Sequence, residues 1–212
     1  MVTEPTASPT RYAMRTSPSI QLLMDEHQDI LRTLESLAGF CRQVALTPLY
    51  EQSDMQREQE RGRLAAFVAF FQRFADAHHH KKEEEILFAA MLECGFPRDH
   101  GPIAVMLNEH DIGRAHVRFL KEASVSTSSW DTDRRQAIAT HGFAFVEILR
   151  AHIQKEDQVL YPMAMARLPP DVMARVDDAS AAVEAKARAD GTHAKLVALG
   201  AKARALSDGP SA

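Results

Sequence analysis

Two stretches of the chain repeat the same combination of histidine and carboxylate. The string HHKKEEEILFA begins at His79 and has Glu83 four positions later. The string HIQKEDQVLYP begins at His152 and has Glu156 at the same place. Residues at this spacing lie on one face of an α-helix, one turn apart. Imidazole and carboxylate groups, without cysteine thiolate, suit iron, manganese or zinc. The repeated pair therefore predicts a metal site.

A shorter string precedes each copy of that pair. LMDEHQDI contains His27 and MLNEHDIG contains His110, each directly after a glutamate. Both histidines fall in the middle of an apolar stripe with helical spacing, and the two HxxxE pairs fall in two further stripes. A duplicated helical hairpin would turn all of these side chains into one interior. The six candidate metal ligands are His27, His79, Glu83, His110, His152 and Glu156.

Burial of two glutamates in that interior requires a compensating positive charge. An unpaired buried carboxylate costs on the order of several kcal/mol, and the four stripes contain no lysine or arginine. Two metal ions would supply the charge. We therefore predict that Glu83 and Glu156 bridge two ions and that the histidines are terminal ligands. Positions left open on each ion would accept water or a small molecule.

Other residues near the repeat are weaker candidates. In a regular α-helix His78 and His80 point about 100° to either side of His79, which predicts a surface position or one in the outer layer around the site. The repeat aligns His80 with Ile153 rather than with a ligand. Tyr161 is predicted to belong to the apolar core, with a role as proton or electron donor as the alternative.

The elements that would position these residues are four long amphipathic helices. No segment shows the two-residue alternation of a half-buried strand. We predict an all-α, antiparallel up-and-down four-helix bundle. Ser19 is the expected cap of the first helix, and Asp131 or Thr132 that of the fourth. The predicted helices span about residues 19–45, 58–93, 101–123 and 132–167.

Extensions flank the predicted bundle on both sides. Residues 1–18, rich in proline, serine and threonine, are expected to be a flexible tail, and residues 19–168 form the bundle. Residues 169–212 form a C-terminal extension with two further helices, about 171–190 and 193–207. We expect these helices to pack on the outside of the bundle, or to bind a protein partner or a second copy of the chain.

Composition narrows the possible partners and location. The 212 residues carry a net charge of -4, which gives no electrostatic reason to bind nucleic acid or an anionic membrane. No apolar run reaches the length of a membrane span, and the N-terminus does not resemble a signal peptide. Cys41 and Cys94 are isolated cysteines. They favour a reducing, cytoplasmic location and argue against a disulfide framework.

The repeated strings resemble the signatures of the haemerythrin-like, HHE cation-binding family. HHKKEEEILF is similar to the family's HHxKEExLFP, HIQKEDQVLYP to HIxKEDxxLFP, and MLNEHDIGR to EHxxGR. The resemblance covers about residues 20–167. It implies an antiparallel four-helix bundle around a non-haem di-iron centre, with the six residues above as its ligands and manganese or zinc as alternative metals.

Two positions bear on the comparison with the oxygen-carrying members of that family. Arg114 stands where the carriers have a second histidine on the third helix. The carriers also use a carboxylate five residues after the last histidine, and Asp157 is available at that place here, in competition with Glu156. A site with fewer histidines and more carboxylate character favours a protein that binds or senses a small oxidant (O2, NO or peroxide) over reversible oxygen carriage.

Three other functions fit the same residues. One is an enzyme that decomposes peroxide or reduces NO. The second is an iron donor or iron-centre repair protein. The third is a helical interaction module that binds no metal. Sequence alone leaves open whether the protein is an enzyme.

Overall fold

Six helices make up most of the computed structural model, which describes residues 17–48 and 53–205. No β-strand occurs in these ranges. Most of the predicted tail and residues 206–212 of the predicted extension lie outside them. We number the helices α1 to α6. Helices α1, α3, α5 and α6 are Pro18–Leu46, Gly101–Val125, Pro170–Ala189 and Thr192–Ala205, while α2 and α4 are composite helices over residues 54–93 and 132–167.

The N-cap of helix α1 lies two residues before the predicted one. Ser17, not Ser19, is the N-cap, and its hydroxyl accepts a hydrogen bond from the Ile20 amide. Pro18 fits the first helical position because its missing N–H would have had no partner there. Ser19 instead donates its amide and its hydroxyl to Asp177 of α5. Asp131, one of the two candidate caps, is the N-cap of α4, and Thr132 is its first helical residue.

Helices α2 and α4 change from α- to π-helical geometry near the candidate ligands. In α2 the π-helical segments are Phe71–His80 and Glu83–Leu87. In α4 the segment Glu156–Leu160 is π-helical. Wide π turns are rare and often coincide with functional sites. Two of the three segments begin at the predicted bridging glutamates, so the internal repeat extends to this backbone feature.

Helices α1 to α4 form the bundle, and its apolar core is divided into two clusters. One cluster includes Leu34, Phe67 and Phe145. The other includes Leu87 and Tyr161. The candidate ligands come from the stretches of helix between the two clusters. Apolar side chains on both sides therefore shield the ligand side chains from water.

Helices α5 and α6 pack on the outside of this bundle, which is one of the arrangements expected from sequence. Leu196 and Ala203 of α6 are buried. A Cβ atom on Gly200 would lie 2.9 Å from the Phe70 ring, so α6 approaches α2 closely. The predicted all-α helical bundle is confirmed. Among the described helices, none is both long enough and apolar enough to span a bilayer.

Candidate metal centre

The six predicted ligands meet in the middle of the bundle. His27 comes from α1, His79 and Glu83 from α2, His110 from α3, and the remaining two from α4. Each of the six side chains is at most 1% exposed. The fold therefore brings together six side chains that were selected by their spacing in the sequence.

The cluster divides into two groups of four potential donors. Within each group the donor atoms lie within 4.8 Å of one another. One group contains His27, His79, Glu83 and Glu156, and the other contains His80, Glu83, His110 and His152. Glu83 belongs to both. Its Oε2 atom lies 3.8 Å from Nε2 of His79 and 3.5 Å from Nε2 of His110.

Glu156 also spans the two groups. Its Oε2 atom lies 3.3 Å from Nε2 of His27. Its Oε1 atom lies 3.1 Å from Nε2 of His152. Each carboxylate therefore faces one imidazole from each half of the site.

His80 lies inside the site rather than at the surface or in the outer layer predicted from sequence. Its ring stacks on that of His110 at a centroid distance of 3.8 Å. The prediction assumed a regular α-helix, in which each residue turns by about 100°. The π-helical segment that ends at His80 turns less per residue, so that His79 and His80 both face the interior. Helix α4 has no π segment before His152, and Ile153 is a core residue.

Carboxylates hold the outer nitrogens of the four predicted histidine ligands. Nδ1 lies between 2.6 and 3.0 Å from a carboxylate oxygen in every case. The pairs are His27 with Asp157, His79 with Glu26, His110 with Glu84, and His152 with Glu109. When Nδ1–H donates to a carboxylate, Nε2 is left as the acceptor that can bind a metal.

These pairs join the four helices in a closed ring. The histidine of α2 pairs with a carboxylate of α1, and the histidine of α3 with a carboxylate of α2. The histidine of α4 pairs with a carboxylate of α3, and the histidine of α1 with a carboxylate of α4. Glu26 and Glu109 were not among the residues predicted to have a function. Their recurrence directly before His27 and His110 was the signal that could have identified them.

Cations support three of the four outer carboxylates. Lys82 donates to Glu26, Lys155 to Glu109, and Arg114 to Glu84. Lys82 is buried, although sequence analysis placed no cation in the interior. Its ammonium group faces Glu26 and Glu184 and not the two central glutamates, so within the described residues no lysine or arginine pairs with Glu83 or Glu156.

Tyr161 is both a core residue and a member of the site. Its hydroxyl donates to Oε1 of Glu83 at 2.6 Å, and its ring stacks on that of His27. Phe88 occupies the equivalent repeat position and stacks on His110. The hydroxyl group therefore distinguishes one half of the site from the other.

The electrostatics of the two central glutamates favour a bound cation. Within the described residues, Glu83 Oε2 and both carboxylate oxygens of Glu156 are buried without a hydrogen-bond partner. Burial and the neighbouring Glu156 carboxylate raise the pKa of Glu83 well above its usual value. Burial alone would do the same to Glu156, but His152 and His27 outweigh it and hold its pKa well below normal. Orphaned oxygens facing four Nε2 atoms form a donor set that fits metal ions.

Comparison with known families agrees with this donor set. The family model described as Hemerythrin HHE cation binding domain matches residues 19–164. The chain belongs to the haemerythrin HHE cation-binding family. The matched range contains all six predicted ligands and His80, and it confirms the resemblance seen in the sequence. No curated protein gives a significant match.

Helices α5 and α6 follow the part that matches the haemerythrin model, yet α5 reaches the site. Glu184 accepts a hydrogen bond from Lys82 at 2.7 Å and lies 2.8 Å from Nε2 of His78. Glu26, His78 and Glu184 form a third group of potential metal donors. The Lys82 ammonium group already lies among them, so lysine supplies the positive charge there.

Proposed function

We propose that the bundle holds two non-haem iron ions and that the iron centre binds or senses a small oxidant, namely O2, NO or peroxide. One observation carries the proposal. Two buried glutamates stand between Nε2 atoms whose imidazoles are fixed by outer carboxylates, and three of their four oxygens accept no hydrogen bond within the described residues. Nitrogen and oxygen donors without thiolate suit iron in helical bundles.

The chain provides a ligand set for each ion. Glu83 and Glu156 would bridge the two ions. His27 and His79 would be terminal ligands of one ion, and the second ion would take the terminal ligands His80, His110 and His152. When bound, the metal supplies redox chemistry and open coordination positions for a small molecule.

The surrounding residues fix geometry and protonation. Burial lowers the pKa of His27, but the hydrogen bond with Asp157 and the charge of Glu156 outweigh burial and raise it to about 9. For His79 burial prevails over Glu26, and the pKa falls to about 4. The neutral imidazole that metal binding requires is therefore favoured at His79. The apolar clusters limit access of water to the group of His27 and His79, where the described residues show no cavity.

The structure of the outer layer argues against oxygen carriage. Arg114 binds Asp76 and Glu84, and Glu84 in turn holds His110. Arg114, which stands where oxygen carriers have a histidine, therefore holds the Glu84 carboxylate and is not itself a metal ligand. We propose sensing or scavenging in a reducing compartment, consistent with two free cysteines.

Metal analysis of protein purified without oxygen tests the proposal. We expect about two irons per chain, as in di-iron bundles, and a near-ultraviolet absorption band that changes on addition of O2, NO or peroxide. Glu83→Ala and Glu156→Ala should each lose iron. Exposed Glu93→Ala is the matched control and should retain it. Protein that stays metal-free after incubation with iron, with no gain in thermal stability, would refute the proposal.

A catalytic role is the second candidate because of Tyr161. Its hydroxyl offers a proton beside Glu83 within the site, and peroxide decomposition needs a proton donor. This role predicts steady peroxide turnover above that of free iron. Turnover should fall in Tyr161→Phe while the iron content stays unchanged. Equal turnover in both proteins would exclude the role.

A further inference from the structure

A cavity of about 290 Å³ leads from the surface to the second group of donors. It lies between α2, α3 and α4, and its inner end is formed by His80, His110 and His152. Its outer end reaches Lys121, eleven residues after His110. That separation corresponds to roughly 16 Å along α3. The cavity is therefore elongated and runs beside the helix axis.

The size of the cavity exceeds what a diatomic gas requires. A water molecule accounts for about 30 Å³ of liquid, and O2 or NO is of similar size. The cavity equals about ten such volumes. Methylene groups are close to water in volume, so an aliphatic chain of about eight to ten carbons matches the space.

The wall of the cavity is apolar along its middle. Phe71, Phe145, Leu149 and Val117 line it and are buried. Gly113 has no side chain at this point of the wall, and a Cβ atom there would be in ordinary van der Waals contact with the Phe145 ring, at 3.4 Å. Such a wall favours hydrocarbon over a polar ligand.

The outer end is positively charged. Arg114 is already paired with Asp76, Glu84 and Asp111. Arg118 and Lys121 also line the cavity, and both are exposed and form no ion pair in the described residues. The acidic residues of the lining are paired, Asp76 with Arg114 and Glu109 with Lys155. The net charge left for a ligand is therefore positive.

We propose that this cavity binds a medium-chain aliphatic carboxylate, with its head group on Arg118 and Lys121 and its tail directed toward His80 and His110. The inference goes beyond the proposed oxidant binding and does not depend on it. A fatty acid bound in this way would place its distal carbons next to the candidate metal centre.

Calorimetry with straight-chain acids from butanoate to tetradecanoate tests the proposal on the full chain. Affinity should rise about three- to fourfold per added methylene, and the rise should stop near decanoate. Decyltrimethylammonium, with the opposite charge, should bind at least tenfold more weakly. Equal binding of the cation, or a rise without limit in chain length, would overturn the proposal.

Variants locate the ligand. Arg118→Glu/Lys121→Glu lies at the exposed rim and should weaken decanoate binding at least tenfold, whereas Arg42→Glu/Lys195→Glu, with the same charge change elsewhere, should not. Val117→Phe should also abolish binding by filling the passage, with circular dichroism as the check on folding. If decanoate binds Arg118→Glu/Lys121→Glu as tightly as the wild type, the proposal is wrong. The same result would follow if the carboxylate of decanoate bound the metal instead of Arg118 and Lys121.

Discussion

At the residue scale, the hydroxyl of Tyr161 breaks the near-symmetry of the centre. It donates to Glu83, while the equivalent Phe88 has no hydroxyl to offer. We predict that Tyr161→Phe lowers the free energy of unfolding of the metal-free protein by about 1–3 kcal/mol, because a buried acceptor loses its donor. Urea denaturation measures this loss. Unchanged stability would show that the hydrogen bond contributes nothing.

His80 provides a second prediction at this scale. Since it lies in the second donor group and stacks on His110, His80→Ala should reduce bound metal from about two ions per chain toward one. His78→Ala is the matched control. His78 contacts Glu26 and Glu184 outside the two central groups, so its loss should leave the stoichiometry unchanged. If His80→Ala binds as much metal as the wild type, His80 is not a metal ligand.

At the element scale, periodicity predicted the helices well. The ends of the four bundle helices fall within about four residues of the predictions, because apolar stripes with a 3.6-residue period are a strong signal. The sequence carries no comparable signal for a change from α- to π-helical geometry. The prediction therefore placed His79 and Glu83 inside correctly but His80 outside.

Lys82 shows a second limit of sequence reasoning. The repeat pairs it with Lys155, which is 40% exposed at its side chain, and nothing local marks Lys82 as buried. Its burial depends on Glu184, which is 102 residues away in α5. The spacing of residues within the repeat cannot predict a contact with a segment outside it, such as that between Lys82 and Glu184.

Close packing of α1 against α4 gives a prediction for the bundle. A Cβ atom on Gly142 would overlap Sγ of Cys41, which is fully buried. Gly142→Ala should therefore lower the free energy of unfolding by about 1–3 kcal/mol, despite the better helix propensity of alanine.

Removal of the sulfur provides the control. In a Cys41→Ala background the same change should be neutral or stabilising by up to about 1 kcal/mol, since propensity then dominates. Thermal or urea unfolding of all four proteins gives the coupling energy. Additive effects would mean that the two helices do not depend on this contact.

At the scale of the whole molecule, the C-terminal helices are tied to the ligand-bearing part of the bundle. Asp177 of α5 accepts hydrogen bonds from Ser17 and Ser19 at the start of α1. Glu184 holds Lys82, Lys82 holds Glu26, and Glu26 holds His79. Val172, Met173 and Val176 of α5 and Leu196 and Ala203 of α6 are buried, whereas Val183 and Val197 stay exposed. The domain boundary at residue 168 stays a prediction.

The chain of contacts from Glu184 makes stability depend on pH. The hydrogen bond with His78, supported by Lys82, outweighs burial and lowers the pKa of Glu184 from 4.5 to about 2. A carboxylate with a lowered folded-state pKa stabilises the fold fully above its unfolded pKa, and this contribution disappears as pH falls through the folded value. The relevant window is therefore pH 4.5 down to about 2.

Glu184→Gln should lower the free energy of unfolding at pH 7 by about 1–3 kcal/mol, because Lys82 loses a charged partner in a buried position. The difference from the wild type should shrink once pH falls below 4.5. Urea titrations between pH 7 and pH 3 measure this difference in the free energy of unfolding. The exposed Glu85→Gln is the control, and its free energy of unfolding should stay within about 0.5 kcal/mol of the wild type at every pH. A constant difference across the window would mean that Glu184 acts through packing and not through its charge. If Glu184→Gln has the same free energy of unfolding as the wild type at pH 7, the contact of α5 with Lys82 does not stabilise the protein.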